Sequence, residues 1–366
     1  MNKTTLLLIA FLGFQVIYAQ QNIPIDTAHW DIQARAHVLE KFREQDAIYL
    51  QGGSMTLRDQ TFLNGTIEYD VFLKEDPAFP GLYFRLREGN AEHFYLRPHQ
   101  SGNPDANQAI PLTYGIAPWQ LYHGSKYAYP YRYTFDDWTH VKIVVNGNRA
   151  QVFLDHASSP MLSWDLFHEA VPGQVVLTGG NASGLHIANI RIDSQQQELV
   201  DFKPGEKKPL ANLIPQWRVS DKFEEKLLDN PQGIPGLIAA RNWEGTIQVE
   251  EGTAANISRV VNLFDDTPGN TVMALVTVRS DGEQLKYFEF GYSDRVVVIL
   301  NGEPVYRGNN TFRSRDYRYL GTIGLFDGVY LKLKPGNNEL MLAVSENFGG
   351  WLVTGRFADP DGLSIR

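Results

Sequence analysis

The chain runs to 366 residues, with no cysteine and with 33 basic against 42 acidic side chains, a net charge of −9. Without cysteine it forms neither disulfides nor the lipidated N-terminus of a bacterial lipoprotein, so stability rests on cores large enough to fold unaided, and the length fits two domains. The acidic balance disfavours bulk nucleic-acid binding, and a basic patch on such a chain is a local concentration of charge.

Taken in order, Lys3, an apolar run from Leu6 to Phe14 and Ile17-Tyr18-Ala19 before Gln20 have the layout of a secretory signal peptide over residues 1–19. The apolar stretch is too short for a comfortable membrane helix, and nothing later in the chain approaches a membrane span. The expected mature protein begins near Gln20, is secreted or periplasmic, and does not insert into a membrane. Short runs of alternating apolar residues then recur at 66–72, 140–145, 150–154, 174–178 and 185–192, separated by Gly, Pro, Asn and Asp. This pattern predicts an all-β sandwich over residues 20–193.

Residues 81–99 hold the densest chemistry. They read as a hairpin of strands 82–87 and 93–98 around the turn 88–92. Alternation puts Leu82, Phe84, Leu86, Phe94 and Leu96 on one face, and Tyr83, Arg85, Arg87, His93, Tyr95, Arg97 and His99 on the other. A five-residue turn pairs Arg87 with His93, Arg85 with Tyr95, and Tyr83 with Arg97. The loop 101–130 follows, long for a plain connection. It carries Asp105, Gln108, Trp119, Tyr122, His123, Tyr127 and Tyr129. If it folds over the hairpin, Trp119 and His123 belong to the same site.

Arginine forks match carboxylate or sulfate, and three on one face are costly unless an anion or internal acids neutralise them. Tyrosine and tryptophan add flat faces for sugar rings. The predicted ligand is therefore a saccharide, and an acidic one, held by Tyr83, Arg85, Arg87, His93, Asp105, Gln108, Trp119 and His123. The plainer alternative pairs the arginines with Glu88, Glu92 and Asp105 on an ordinary solvated sheet. If the site is catalytic, a lyase would use Tyr95 or His99 as base and Arg97 or Arg85 to neutralise a uronate. A hydrolase would need two carboxylates, for which Glu92 and Asp105 are candidates.

Residues 194–212 are polar and proline-bearing, the composition of a linker. Strand patterns resume at 246–249, 271–278, 286–291, 295–300 and 340–344, with Asn301-Gly302 as a type I′ turn signal. A second sandwich is predicted over 213–366. His123, His140, His156, His168 and His186 lack metal-ligand spacing. Asp136-Asp137 and Asp265-Asp266 leave calcium open as a cofactor, although acidic pairs of this kind are more often only turns. Asn64, Asn181, Asn256 and Asn309 begin glycosylation sequons.

Phe62-Leu63-Asn64-Gly65-Thr66-Ile67-Glu68, Trp138 through Gly147 and Gln151 through Asp155 together resemble the laminin-G-like, concanavalin A-like lectin and glucanase superfamily, over about residues 28–193. The 3-keto-glycoside hydrolase domain is a more distant likeness. Phe288 through Tyr306, with Pro335-Gly336 and Asn338, resemble a galactose-binding-like jelly roll of the type appended to glycan-degrading enzymes. The resemblance implies fold more than function. Glu68-Tyr69-Asp70 matches the first two acids of laminarinase-type glucanases, but Phe72 or Leu73 stands where the third would fall, which argues against that activity. Glu68 and Asp70 are expected to face solvent. The function expected is glycan binding in a polysaccharide-processing system, with an enzyme acting on a modified glycan as the alternative and a purely structural role as a third.

Overall fold

A computed structural model of the chain describes residues 21–180, 183–315 and 321–366. The leader expected over residues 1–19 and the sequon at Asn181 lie outside them. Almost every regular element is a strand, and two antiparallel sheets form two β-sandwiches.

The first sheet contains β1 (Gln21–Asn22), β2 (Trp30–Phe42), β3 (Gln45–Leu57), β4 (Gly65–Leu73), β5 (Gly81–Arg87), β6 (Asn90–Leu96), β7 (Asn107–Leu112), β8 (Asp137–Asn146), β9 (Arg149–Leu154), β10 (Leu162–Asp165), β11 (Gln174–Thr178) and β12 (Leu185–Asp193). Its order is β10-β9-β8-β4-β12-β3-β11-β5-β6-β7, with β1 on β12 and β2 on β3. The path folds back on itself: Trp164 of β10, at one end, stacks at 6.1 Å on Phe94 of β6, next to the other end. Between the two layers lie the apolar halves of the alternating strands, including Ile67, Tyr69, Val71, Leu82, Phe84, Phe94, Val141 and Ile143. Strand β3 belongs to both layers, since Ala47 to Leu50 pair with β12 and Ser54 to Thr56 pair with β11. Gly52 and Gly53, with φ of 54° and 148°, bend the strand between these halves. A Cβ on Gly53 would fall 2.1 Å from the Gln33 carbonyl oxygen, so β2 can follow the bend only past a glycine.

The second sheet contains β13 (Gln216–Ser220), β14 (Trp243–Glu250), β15 (Ala254–Asn256), β16 (Thr271–Ser280), β17 (Gln284–Ser293), β18 (Arg295–Leu300), β19 (Glu303–Asn309), β20 (Asp327–Leu333), β21 (Gly336–Ser345), β22 (Leu352–Phe357) and β23 (Leu363–Ile365). It closes in the same way: in the order β19-β18-β21-β16-β13-β14-β15-β22-β17-β20, Phe290 of β17 meets Tyr306 of β19 edge-on at 5.2 Å. Asn301 and Gly302, both at positive φ, make the expected tight turn between β18 and β19. One short helix, α1 (Ile234–Ala239), covers part of this sheet, and no helix among the described residues is long and apolar enough to cross a membrane. The core of the first sandwich runs on into Ala254, Ile323 and Leu352 of the second.

Candidate functional site

The hairpin is tighter than the sequence suggests. Glu88 and Gly89, with φ of 52° and 76°, form a two-residue turn, and Tyr83 lies opposite His93, Leu82 opposite Phe94 and Gly81 opposite Tyr95. The expected register is displaced by an even number of residues, so Leu82, Phe84, Phe94 and Leu96 still face the core and Tyr83, His93 and Tyr95 still face outward.

Arg85 does not. Its φ of 55° marks a bulge that shifts the ladder between Phe84 and Arg87. The side chain turns inward to 6% exposure, where Nε and Nη2 donate to the Leu63 carbonyl at 2.8 and 2.6 Å and Nη2 to the Gly147 carbonyl at 2.6 Å. The arginine-paved face is thereby corrected. Arg87 sits at the exposed strand end, 3.3 Å from the Glu88 carboxylate, and Arg97 donates to the Asp105 carboxylate. Arg85 is thus held by neutral carbonyls, and Arg87 and Arg97 by carboxylates, each at a different place. Glu92 is buried on the far side of the bulge, where it accepts from the Phe167 and His168 amides. Burial pushes Glu92 up to about 7.

What remains on the outer face is an aromatic column. The Tyr83 and His93 rings stack at 3.8 Å, and His93 and Tyr95 at 4.9 Å. Phe79, which lies outside any alternating run and was not legible in the sequence, closes the end, 6.0 Å from Tyr95 and 5.0 Å from His99. Gly81 makes room, since a Cβ there would stand 2.8 Å from His93 Nε2 and 2.7 Å from Tyr95 Cβ. Cross-strand register puts Thr178 of β11 and then Ser54 of β3 in line with Gly81, and Val176 and then Thr56 in line with Tyr83. The face thus runs from half-exposed hydroxyls (Ser54, Thr56, Thr178) through the half-buried Tyr83 to the buried His93 and Tyr95.

The long loop does fold over the buried end. Tyr95 donates its hydroxyl to Gln108 Oε1 at 2.5 Å, and Gln108 Nε2 donates to the Trp119 and Tyr122 carbonyls at 3.0 and 2.5 Å. The Trp119 ring points elsewhere, packing at 5.1 Å on Phe348 of the second sandwich. His123 sits near Lys207; burial, then that charge, lowers it to about 4. Burial lowers His93 to about 3, and among the described residues neither of its ring nitrogens has a hydrogen-bond partner. Burial also lowers His99, helped by Arg97, and raises the Tyr95 phenol far above its ordinary range.

A second polar cluster lies on the opposite outer face. Glu68 and Asp70 share a face as expected, but they are 9% and 8% exposed rather than open to solvent. The partner strand supplies the reason: His140 of β8 lies opposite Asp70, with Nδ1 at 2.7 Å from Asp70 Oδ1 and Nε2 at 3.5 Å from Glu68 Oε2. Asn189, at a bulge in β12, donates to Asp70 Oδ2 at 2.6 Å. Burial alone would lower His140, but hydrogen bonds and charge from Asp70 and Glu68 carry it up to about 9. Phe72, at the missing third acid, packs on Phe42 and Trp138. Among the described residues no three His, Asp or Glu side chains are grouped to hold a metal, and Asp265 is spent on Lys222 at 2.7 Å.

The chain matches no protein-family model and no curated protein. Among solved structures it is similar to the carbohydrate-binding module CBM66 from Bacillus subtilis (14% identity, 45% of this chain and 96% of that one, TM-score 0.34). It is also similar to a β-glucanase from Bacillus licheniformis (13%, 46% and 94%, TM-score 0.32). A lichenase derived from a mouse hindgut metagenome is a third (12%, 48% and 98%, TM-score 0.34). At these identities and scores, nothing those proteins bind or cleave passes to this chain.

Proposed function

We propose that the protein binds a neutral saccharide on the outer face of β3, β11, β5 and β6, without cleaving it. The observation that carries this reading is the column of Phe79, Tyr83, His93 and Tyr95, with the hydroxyls of Ser54 and Thr56 two strands away on the same face, while that of Thr178 between them is held by the Gly81 backbone. Flat rings next to a short row of groups that both donate and accept suit a sugar ring, which has one apolar face and an equatorial rim of hydroxyls. The arginines favour a neutral ligand over an acidic one, because Arg85 is buried away from the face against carbonyls and Arg87 and Arg97 pair with Glu88 and Asp105. The titration behaviour favours binding over proton abstraction. A lyase base should be poised near neutral pH, whereas burial carries the Tyr95 phenol far above that range and lowers His99, the other expected base, which makes it a weaker proton acceptor.

Native electrophoresis of the mature protein in gels cast with neutral, uronic or sulfated polysaccharide, stained afterwards for polymer, tests the reading. Retardation in a neutral gel, lost in Tyr83→Ala and without clearing of the stain, is expected. Retardation confined to uronic or sulfated gels would restore the acidic ligand, and a cleared zone would make the protein an enzyme.

A further inference from the structure

Strands β17 and β20 of the second sandwich carry large apolar side chains on both faces. Alternation turns Phe288, Phe290, Leu331 and Leu333 into the core, and Leu285, Tyr287, Tyr330 and Lys332 outward. The outward row of an ordinary solvated strand is polar, yet here Leu285 and Tyr330 are each 66% exposed and Tyr287 is 38% exposed. Cross-strand register gathers the three. Tyr287 lies opposite Tyr330, and Leu285 lies opposite Lys332, the next outward position along β20. The apolar surface is therefore contiguous rather than scattered.

The two phenol rings make a corner, their centroids 4.9 Å apart and their planes inclined by 48°. Gly328 of β20 seats one of them: a Cβ there would fall 2.2 Å from the Tyr287 hydroxyl oxygen and 2.4 Å from its Cζ, so this ring lies across β20 only over a glycine. Charged residues border the corner in closed pairs. On one side Arg356 of β22 donates to Glu289 at 2.7 Å, and on the other Lys332 meets Glu283 at 3.0 Å. Two cations and two anions thus cancel around the rings.

We propose that this corner is a second saccharide-binding surface, separate from the column on the first sandwich, and that it takes a neutral sugar chain laid across β17 and β20. A pyranose has an apolar face that stacks on a phenol and a hydroxyl rim that tyrosine hydroxyls and bordering charged groups can hydrogen-bond. The closed ion pairs favour neither an anionic nor a cationic chain. The surface is open, so several linked units are needed where an enclosed pocket would hold one. A second copy of this chain is the poorer occupant. The exposed parts of the three side chains come to about 300–400 Å², whereas each side of a stable protein interface buries about 800 Å².

Saturation-transfer NMR on the full chain carrying Tyr83→Ala, which silences the first face, tests this with cellohexaose, laminarihexaose and mannohexaose as separate probes. Transfer to at least one hexaose is expected, with binding about tenfold weaker once Tyr330→Ala is added, as for an exposed stacking ring. Tyr330→Phe, which keeps the ring, should weaken it less. No transfer to any of the three, or transfer that survives Tyr330→Ala undiminished, overturns the proposal. Sedimentation that finds the unsubstituted chain dimeric and Tyr330→Ala monomeric also overturns it and assigns the patch to a second copy.

Discussion

His93 and His140 stand on the two opposite outer faces of one sandwich, both mostly buried, and the protein drives them in opposite directions. Burial without a hydrogen-bond partner among the described residues takes His93 down to about 3, while the same cost at His140 is outweighed by Asp70 and Glu68, which take it up to about 9. One ring is an uncharged plate in an aromatic stack, and the other a fixed cation between two carboxylates. The difference shows that burial does not set an imidazole's charge; what the neighbouring strand presents does.

Removing the cation is the largest expected effect. His140→Ala takes the cation from between Asp70 and Glu68, leaving Asp70 buried without its charged partner and Glu68 with only Lys142 and Arg191 on the flanking strands, and should cost about 3–5 kcal/mol in urea unfolding at neutral pH. A loss below about 1 kcal/mol would mean that water replaces the imidazolium and that the pair is effectively solvated. Next, Gly81→Ala forces a Cβ against His93 and Tyr95 and should cost about 1–3 kcal/mol while breaking the stack. Near-ultraviolet dichroism reads the loss of ring order directly, and an unchanged spectrum would show that the column can shift to accept a methyl group.

The pH dependence sharpens the contrast further. His140 has a folded value of about 9 against an ordinary 6.5, so its contribution is fully present below 6.5 and is lost as pH rises through about 9. For His93, with a folded value of about 3, stability is present above 6.5 and is lost as pH falls toward 3. Carbon-13 shifts of the labelled imidazoles should show one ring still charged on the alkaline side and the other uncharged on the acid side. The smallest effect is expected from His93→Phe, which should change neutral-pH stability by less than about 1.5 kcal/mol and flatten the acid limb. A large loss at neutral pH would reveal a hydrogen bond to the ring, such as one from a buried water.

The period of two was enough to sort the hairpin's faces, because Leu82, Phe84 and Phe94 are too apolar to lie anywhere but inside. Register was not legible, since a bulge such as the one at Arg85 is a backbone choice that alternation does not encode. The long β2–β3 hairpin is silent in the sequence for a related reason: its turn, Arg43-Glu44, takes positive φ at both positions without glycine or asparagine to announce it. Asn301-Gly302 carries the usual residues, and its turn is legible in the sequence. For Glu68 and Asp70 alternation gave the face but not its cover, because His140 and Asn189 arrive from strands distant in the chain. Phe79 lies on a loop, where no periodicity points to a partner.

The bend at Gly52-Gly53 has a consequence for how the first sandwich opens. Because β3 hydrogen-bonds to β12 with one half and to β11 with the other, neither layer can peel away without tearing the same strand. Amide protons on β11 and β12 should therefore exchange with solvent in a single cooperative unfolding event, so that the face carrying His93 and the face carrying His140 melt together.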